Sequence, residues 1–229
     1  MTGSRSMTRR GFILSAAGIA FLAGVQTGSE AKLHRISNSA LSNTVSESAT
    51  SPGNRVVVKG TSINLPLVCP TAEQGNTYFL THDETGAPAV SGCPFVDYRC
   101  TGECQHLLIY GHSFGVGTEG FTELRNSWRP EAFTTIREAQ VTLDGSTTTY
   151  KPLLAARIDK NFDDIQRFSF ADSVELIAWV DEVVRSLPSP VIDETLPTDD
   201  TRRVLSLITC SSVRPGKRAR TLVMFTSDS

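Results

Sequence analysis

From Arg55 onward, short apolar runs alternate with polar breaks along most of the chain. The runs are RVVVKG (55–60), INLPLVC (63–69), TYFLTH (77–82), CPFVDYRC (93–100), HLLIYGH (106–112), TIREAQVTLDG (135–145), TTTYKPLLAARI (147–158), RVLSLITC (203–210) and RTLVMF (220–225). Gly, Asn, Asp or Pro clusters separate most of them, as expected of strands joined by turns. That density of strands predicts an all-β barrel or sandwich.

Two segments break the pattern. Thr122 to Trp128 reads as a short helix just after the fifth run. Asp172 to Leu187, DSVELIAWVDEVVRSL, is amphipathic: Val174, Ile177, Ala178, Val184 and Leu187 fall broadly on one face, widened by Trp179, Val180 and Val183. Pro188 and Pro190 end it. This helix interrupts the strands just before the run that ends in Cys210.

The last two runs, with a Pro- and Gly-bearing basic loop between them, predict an antiparallel hairpin. Hairpin geometry brings the end of the first strand beside the start of the second, so Cys210 and Arg220 are expected to be neighbours. A guanidinium beside a thiol favours the thiolate, the nucleophilic form. Arg218 shares strand parity with Arg220 and is the alternative cation. Arg220 is preferred because it abuts the apolar run, where packing holds its fork in place.

The N-terminus belongs to a different regime. Arg5, Arg9 and Arg10 precede the apolar run GFILSAAGIAFLAGV (11–25), which is short for a comfortable span of roughly 17–25 residues. Residues 1–31 are therefore expected to be an export signal, with Ser29-Glu30-Ala31 as a cleavage site, or an uncleaved anchor with its positive end inside. TRRGFIL (8–14) also resembles a twin-arginine signal. Either way the bulk of the protein is expected outside the cytoplasm. Residues 32–54, rich in Ser, Thr and Asn, read as a flexible tether, and residues 55–229 as the functional domain.

The net charge of -2 argues against a nucleic-acid partner, which calls for a basic excess. The five cysteines matter more. In an exported protein an odd count implies disulfides plus one free thiol, and Cys210, far from the other four, is the natural leftover. Cys100 and Cys104 flank a short turn and can close a small loop, and Cys69 can then pair with Cys93, although the sequence does not fix the connectivity. A zinc site from these four is the alternative, but the spacing lacks paired C-x2-C knuckles, so no metal is expected.

Four histidines compete to serve Cys210 as its base. His34 lies in the tether, His82 precedes the acidic pair Asp83-Glu84, and His106 opens a strand. His112 closes LLIYGH and is followed by the Gly-rich SFGVGTEG, so it is the one placed to project into a cleft. The order His then Cys excludes a papain-like arrangement.

Taken in order, NTYFLTHD, CPFVDYR, LLIYGHSF, LSLITC and the Arg-led final strand resemble the sortase family, and GTSINLPLV (60–68) resembles its early Gly-Thr-x-Ile strand. The helix-bearing insertion before the Cys strand resembles class B. The likeness covers about Gly60 to Phe225, and Ser206 stands where the family's Thr-Leu-x-Thr-Cys pattern begins with Thr. The resemblance implies a closed eight-stranded β-barrel with short helices, one long helix inserted before the Cys strand, and no cofactor. It implies a cysteine transpeptidase that cleaves an LPxTG-like or NPxTN-like sorting motif of secreted proteins and joins them to a peptidoglycan amine at the cell envelope. Cys210 would be the nucleophile, His112 the general acid and base, Arg220 the oxyanion or substrate stabiliser, and Thr209 a substrate contact. Asp97 is expected to be structural. Two rival functions are an L,D-transpeptidase, whose His-Gly…Gly-Cys-x-Arg cluster is not seen, and an exported barrel that binds without catalysis.

Overall fold

In the computed structural model the apolar runs assemble into one nine-stranded sheet. The structure describes residues 53–100, 104–193, 200–212 and 217–229. The expected export segment, nearly all of the tether, the turn between Cys100 and Cys104, and Arg214 lie outside the described residues. The strands are β1 (Arg55–Lys59), β2 (Asn64–Pro66), β3 (Phe95–Val96), β4 (His106–Tyr110), β5 (Glu138–Leu143), β6 (Ser146–Asp159), β7 (Val191–Ile192), β8 (Arg203–Cys210) and β9 (Ala219–Ser227). Two α-helices, α1 (Pro130–Phe133) and α2 (Ser173–Ser186), and two 3₁₀ turns at Tyr78–Leu80 and Thr122–Asn126 complete the elements. Among the described residues no helix is long and apolar enough to cross a membrane.

The strand order is β2-β1-β5-β6-β9-β8-β4-β3, with β7 paired separately to β6. β8 and β9 form the antiparallel hairpin, in a register that runs from Arg203–Ser227 to Cys210–Arg220. β4 lies on the other side of β8 and runs parallel to it, from His106–Val204 to Tyr110–Ile208. A parallel neighbour needs a long crossover, and here β5, β6, α2 and β7 supply it.

The expected closed eight-stranded barrel is corrected in two respects. The short β7 adds a ninth strand, and the end strands β2 and β3 share no ladder. They meet only at an isolated parallel bridge between Val68 and Phe95. There Val68 N donates to Pro94 O (3.1 Å) and Val96 N to Val68 O (2.9 Å). Pro66 and Pro94 bracket this junction, and neither has an N–H with which to extend the pairing. The run 77–82 is also no strand: its first half winds into the 3₁₀ turn at Tyr78–Leu80, and its end meets the returning chain in an isolated bridge between His82 and Pro88 rather than in a ladder.

Strand alternation gives the sheet two apolar faces. Inside the curl, Leu205 and Leu207 of β8 pack with Val223 and Phe225 of β9, Ile109 of β4 and Val56 and Val58 of β1. On the other face, Val204, Ile208, Leu222, Met224 and Leu108 pack beneath α2. Helix α2 spans nearly the predicted range, capped by Asp172, whose side chain accepts from Glu175 N. Its buried stripe is Leu176, Trp179, Val180 and Val183. This corrects the predicted face, because Val174 is 74% exposed and the stripe instead follows i, i+3, i+4, i+7 from Leu176. Each fully buried apolar side chain of this kind contributes about 1.5–3 kcal/mol.

The cysteines divide differently from expectation. Cys100 and Cys104 form a disulfide, but Cys69 and Cys93 are both free, as is Cys210. The Val68–Phe95 register explains why: it aligns Cys93 with Pro66, whose carbonyl lies 3.6 Å from the thiol. Cys69 is three residues further along, roughly 10 Å at about 3.3 Å per residue, beyond the ~7 Å Cα limit of a disulfide. Burial pushes the Cys93 thiol up to about 12, helped by Glu84 and Asp83, so this sulfur stays protonated and inert. The denatured, unreduced protein should therefore titrate with three thiol equivalents, given the three free cysteines, and with all five after reduction. A single thiol before reduction would show that Cys69 and Cys93 are joined.

Candidate active site

His112, Cys210 and Arg220 line one cavity of about 510 Å³ at the end of the β4–β8–β9 ladder. Three separate constraints bring them there. Cys210 and Arg220 are directly paired across the hairpin. His112 follows β4, and the ladder continues past its last paired residues through Gly111 N, which donates to Ile208 O (3.0 Å). Carried two residues past Tyr110–Ile208, the register sets His112 opposite Cys210. Alternation places Ile208, Cys210 and Arg220 on the α2 face of the sheet, just beyond the helix.

The His112 ring is held from the far side of the cavity. Its Nε2 is 2.8 Å from Leu80 O, and because a carbonyl only accepts, this nitrogen carries the proton. The 3₁₀ turn at Tyr78–Leu80 is thus what delivers the carbonyl that orients the imidazole. The backbone of His112 is held as firmly: its carbonyl accepts from Phe121 N at 2.7 Å, closing the base of the following loop. Arg125 donates to Gly115 O and Phe114 N to Thr122 Oγ1 (2.9 Å), tying that loop to the Thr122–Asn126 turn. Gly111 permits this closure, since a Cβ there would lie 2.5 Å from the ring of fully buried Phe121.

Of the two candidate cations, Arg218 is occupied elsewhere. Its Nε and one terminal nitrogen each lie 2.8 Å from a different carboxylate oxygen of Asp159. Arg220 instead donates to Lys217 O (2.7 Å) and Ala219 O (3.1 Å), bonds that fix its guanidinium at the cavity wall. Thr209 also lines the cavity, but it is 2% exposed and belongs to the opposite face of β8. Its cross-strand partner there is Thr221, whose hydroxyl donates to Arg125 O at 2.6 Å. The Thr209 hydroxyl has no hydrogen-bond partner among the described residues.

The other described histidines have structural roles. His82 stacks on Tyr78, with Nδ1 2.8 Å from Tyr78 O. His106 is fully buried. Its Nδ1 donates to Arg167 O (2.7 Å), which leaves Nε2 to accept from the Ser206 hydroxyl at 2.8 Å. Burial drives its pKa down to about 4, against the opposing pull of Arg167 O and Asp97. Ser206, the departure at the head of SLITC, is thus the polar partner of a core imidazole.

Sequence reasoning did not find a second chamber of about 300 Å³ beside the first, walled by Asn76, Phe95, Lys160 and Phe162. The two chambers share Leu80, Tyr110, Ile208 and Arg220. Tyr110 shares strand parity with His112, a signal that was available; Asn76 and Lys160 come from loops without a periodic pattern.

No protein-family model and no curated protein sequence matches the chain. Solved structures do. Sortase B of Clostridium perfringens superposes with a TM-score of 0.63 at 18% identity, over 76% of this chain and 92% of that one. The Staphylococcus aureus sortase B–substrate complex gives 0.63 at 18% identity, over 77% and 79%. Sortase B of Bacillus anthracis, in complex with AAEK1, gives 0.61 at 17% identity, over 76% and 77%. The fold is the sortase fold. It is mainly β, as the sequence resemblance implied, with a curled sheet in place of the closed barrel.

Two measurements check this geometry. Gly111→Ala should destabilise the protein by about 1–3 kcal/mol in urea unfolding, since its Cβ overlaps an aromatic ring with no room to move. The second concerns His106, whose folded pKa lies below the ordinary value of about 6.5. The unfolded chain takes up this proton first, so the stabilisation is complete above about pH 6.5 and is lost as pH falls toward 4. The loss is on the order of 3 kcal/mol. Between pH 7 and pH 4.5 the wild-type urea midpoint should fall further than that of His106→Gln. Equal falls would mean that His106 is not buried in its neutral form.

Proposed function

We propose that this protein is a sortase-type cysteine transpeptidase of class B, acting on secreted proteins at the outer face of the cell membrane. The observation that carries the reading is a single cavity on a sortase fold lined by His112, Cys210 and Arg220. Between them they can supply the nucleophile, the acid–base group and the cation that thiol-based acyl transfer uses, and no two adjoin in sequence.

In the reaction, His112 takes the thiol proton of Cys210 and the sulfur attacks the scissile carbonyl of an LPxTG-like or NPxTN-like motif. The C–S bond forms as the peptide C–N bond breaks, leaving a thioacyl enzyme. His112 protonates the departing amine, then removes a proton from the incoming amine of a peptidoglycan precursor. With Nε2 engaged by Leu80 O, Nδ1 is the ring nitrogen offered for this exchange. Attack by the amine restores an amide and releases the thiolate. Arg220, held by Lys217 O and Ala219 O, meets the charge that develops on the carbonyl oxygen without reorganising. Thr209, whose side chain is buried on the opposite face of β8, would meet the substrate through its backbone. The predominantly apolar cavity suits an extended, proline-bearing motif, and the S. aureus sortase B structure, itself a substrate complex, supports the assignment.

The reaction calls for no cofactor and no nucleic acid. Residues 1–31 would export or anchor the protein and residues 32–54 would tether residues 55–229, the catalytic domain, to the envelope.

Incubation with sorting-motif peptides, alone and with an added amine, should give cleavage and then an amide-linked product by mass spectrometry. Cys210→Ala should abolish both. His112→Ala should lose about 10²–10⁴-fold in kcat, the usual worth of a general acid–base. Arg220→Ala should lose about 10²–10³-fold, the worth of one oxyanion donor. Full activity in Cys210→Ala would overturn the assignment.

A further inference from the structure

Asp97 is fully buried, directly after β3, and its carboxylate is unusually well supplied with donors. Oδ1 accepts from Arg99 N (3.0 Å) and Arg99 Nε (2.9 Å). Oδ2 accepts from an Arg99 terminal nitrogen (2.7 Å), Asn76 Nδ2 (2.8 Å) and the Tyr110 hydroxyl (3.0 Å). Burial alone would raise the Asp97 pKa, but the hydrogen bonds from Arg99 and Tyr110 outweigh it and hold the carboxyl below its ordinary range. An ionised carboxylate only accepts, so Tyr110 must donate and its ring is pinned at both ends, by β4 and by Asp97.

What Asp97 holds is not general core. Tyr110 lines both chambers, and Asn76 lines the second. Asn76 is fixed at its other end too, because its Oδ1 accepts from Tyr98 N at 3.0 Å. Arg99, the counter-charge, has no place in either lining; it lies over Phe168 and donates to Gln166. The cluster therefore faces the groove through two neutral side chains, while the charges stay behind the wall.

We propose that Asp97 is a positioning residue of the peptide groove. By orienting Tyr110 and Asn76 it shapes the chamber beside the nucleophile, and it governs how well the substrate is bound rather than how fast the thiol reacts. This rests on the transpeptidase reading above and adds to it a residue that touches neither substrate nor reacting atoms.

The test uses the full chain with Asp97→Asn, Tyr110→Phe and the double variant, assayed on the cleaved peptide. Each single variant should raise KM by about 3- to 10-fold with kcat within about twofold of wild type, as expected when binding shared by the ground and transition states is lost. The double variant should be no worse than the stronger single one, because both break the same contact. The proposal is overturned by an unchanged KM in Tyr110→Phe, by a fall in kcat at constant KM, or by KM increases that multiply in the double variant. Tyr110→Phe decides the matter alone if Asp97→Asn does not fold. If the wild-type chain cleaves no sorting-motif peptide, it is the transpeptidase reading that fails. The positioning role is then read from tyrosine ring-carbon NMR. The Tyr110 signal, identified by its loss in Tyr110→Phe, should shift in Asp97→Asn while that of Tyr150, in the other core, stays in place. A stationary Tyr110 signal would overturn the proposal without reference to catalysis.

Discussion

Parallel pairing of β4 with β8 sets the geometry of everything chemical in this protein. Two strands that run the same way end at the same edge of the sheet, so the residues that follow them are delivered together. The hairpin partner β9 runs back from that edge, with Arg220 as its second residue. The cavity is thus made of strand ends, and a one-residue slip in either ladder would turn Cys210 or Arg220 to the opposite face. Register is secured by the cores on both sides: Leu205 and Leu207 fit one face, Val204 and Ile208 the other.

Polar contacts reinforce the pairing where apolar packing cannot. His106 and Ser206 join β4 to β8 inside the core, each satisfying the other in a place where an unmade hydrogen bond is costly. Nearer the edge, Asp97 ties β3, the Asn76 loop and β4 into one unit, and the 3₁₀ turn at Tyr78–Leu80 lends a carbonyl to His112. These contacts hold the wall of the cavity from several separate elements.

The sequence made the β8–β9 hairpin plain because its two apolar runs and their basic loop are local signals. β8 falls at residues 203–210, as read from the run that ends in Cys210. Helix α2 was legible in extent from its amphipathic run and its prolines but not in orientation, because the abundance of Val and Ile on all sides blurs the stripe and only contact with Trp179 and its neighbours fixes it. The run 77–82 looks like a strand because composition cannot report that its neighbour, the chain returning through Pro88, meets it at one bridge and forms no ladder. The pairing of Cys69 with Cys93 failed for a related reason: closeness depended on the Val68–Phe95 register, a long-range fact. His112 was legible from its glycine-bearing surroundings, whereas its partner Leu80 O, a backbone atom, leaves no mark on the sequence at all.

The crossover that makes β4 and β8 parallel has a consequence in time. During synthesis β4 emerges early, but its partner strand follows only after β5, β6, α2 and β7, and β9 later still. Such non-local pairing is slow and late in folding. Until the hairpin docks, the chain carries a cysteine, a histidine and an arginine with no common site. The cavity they line is therefore complete only when nearly all of residues 55–229 has been made.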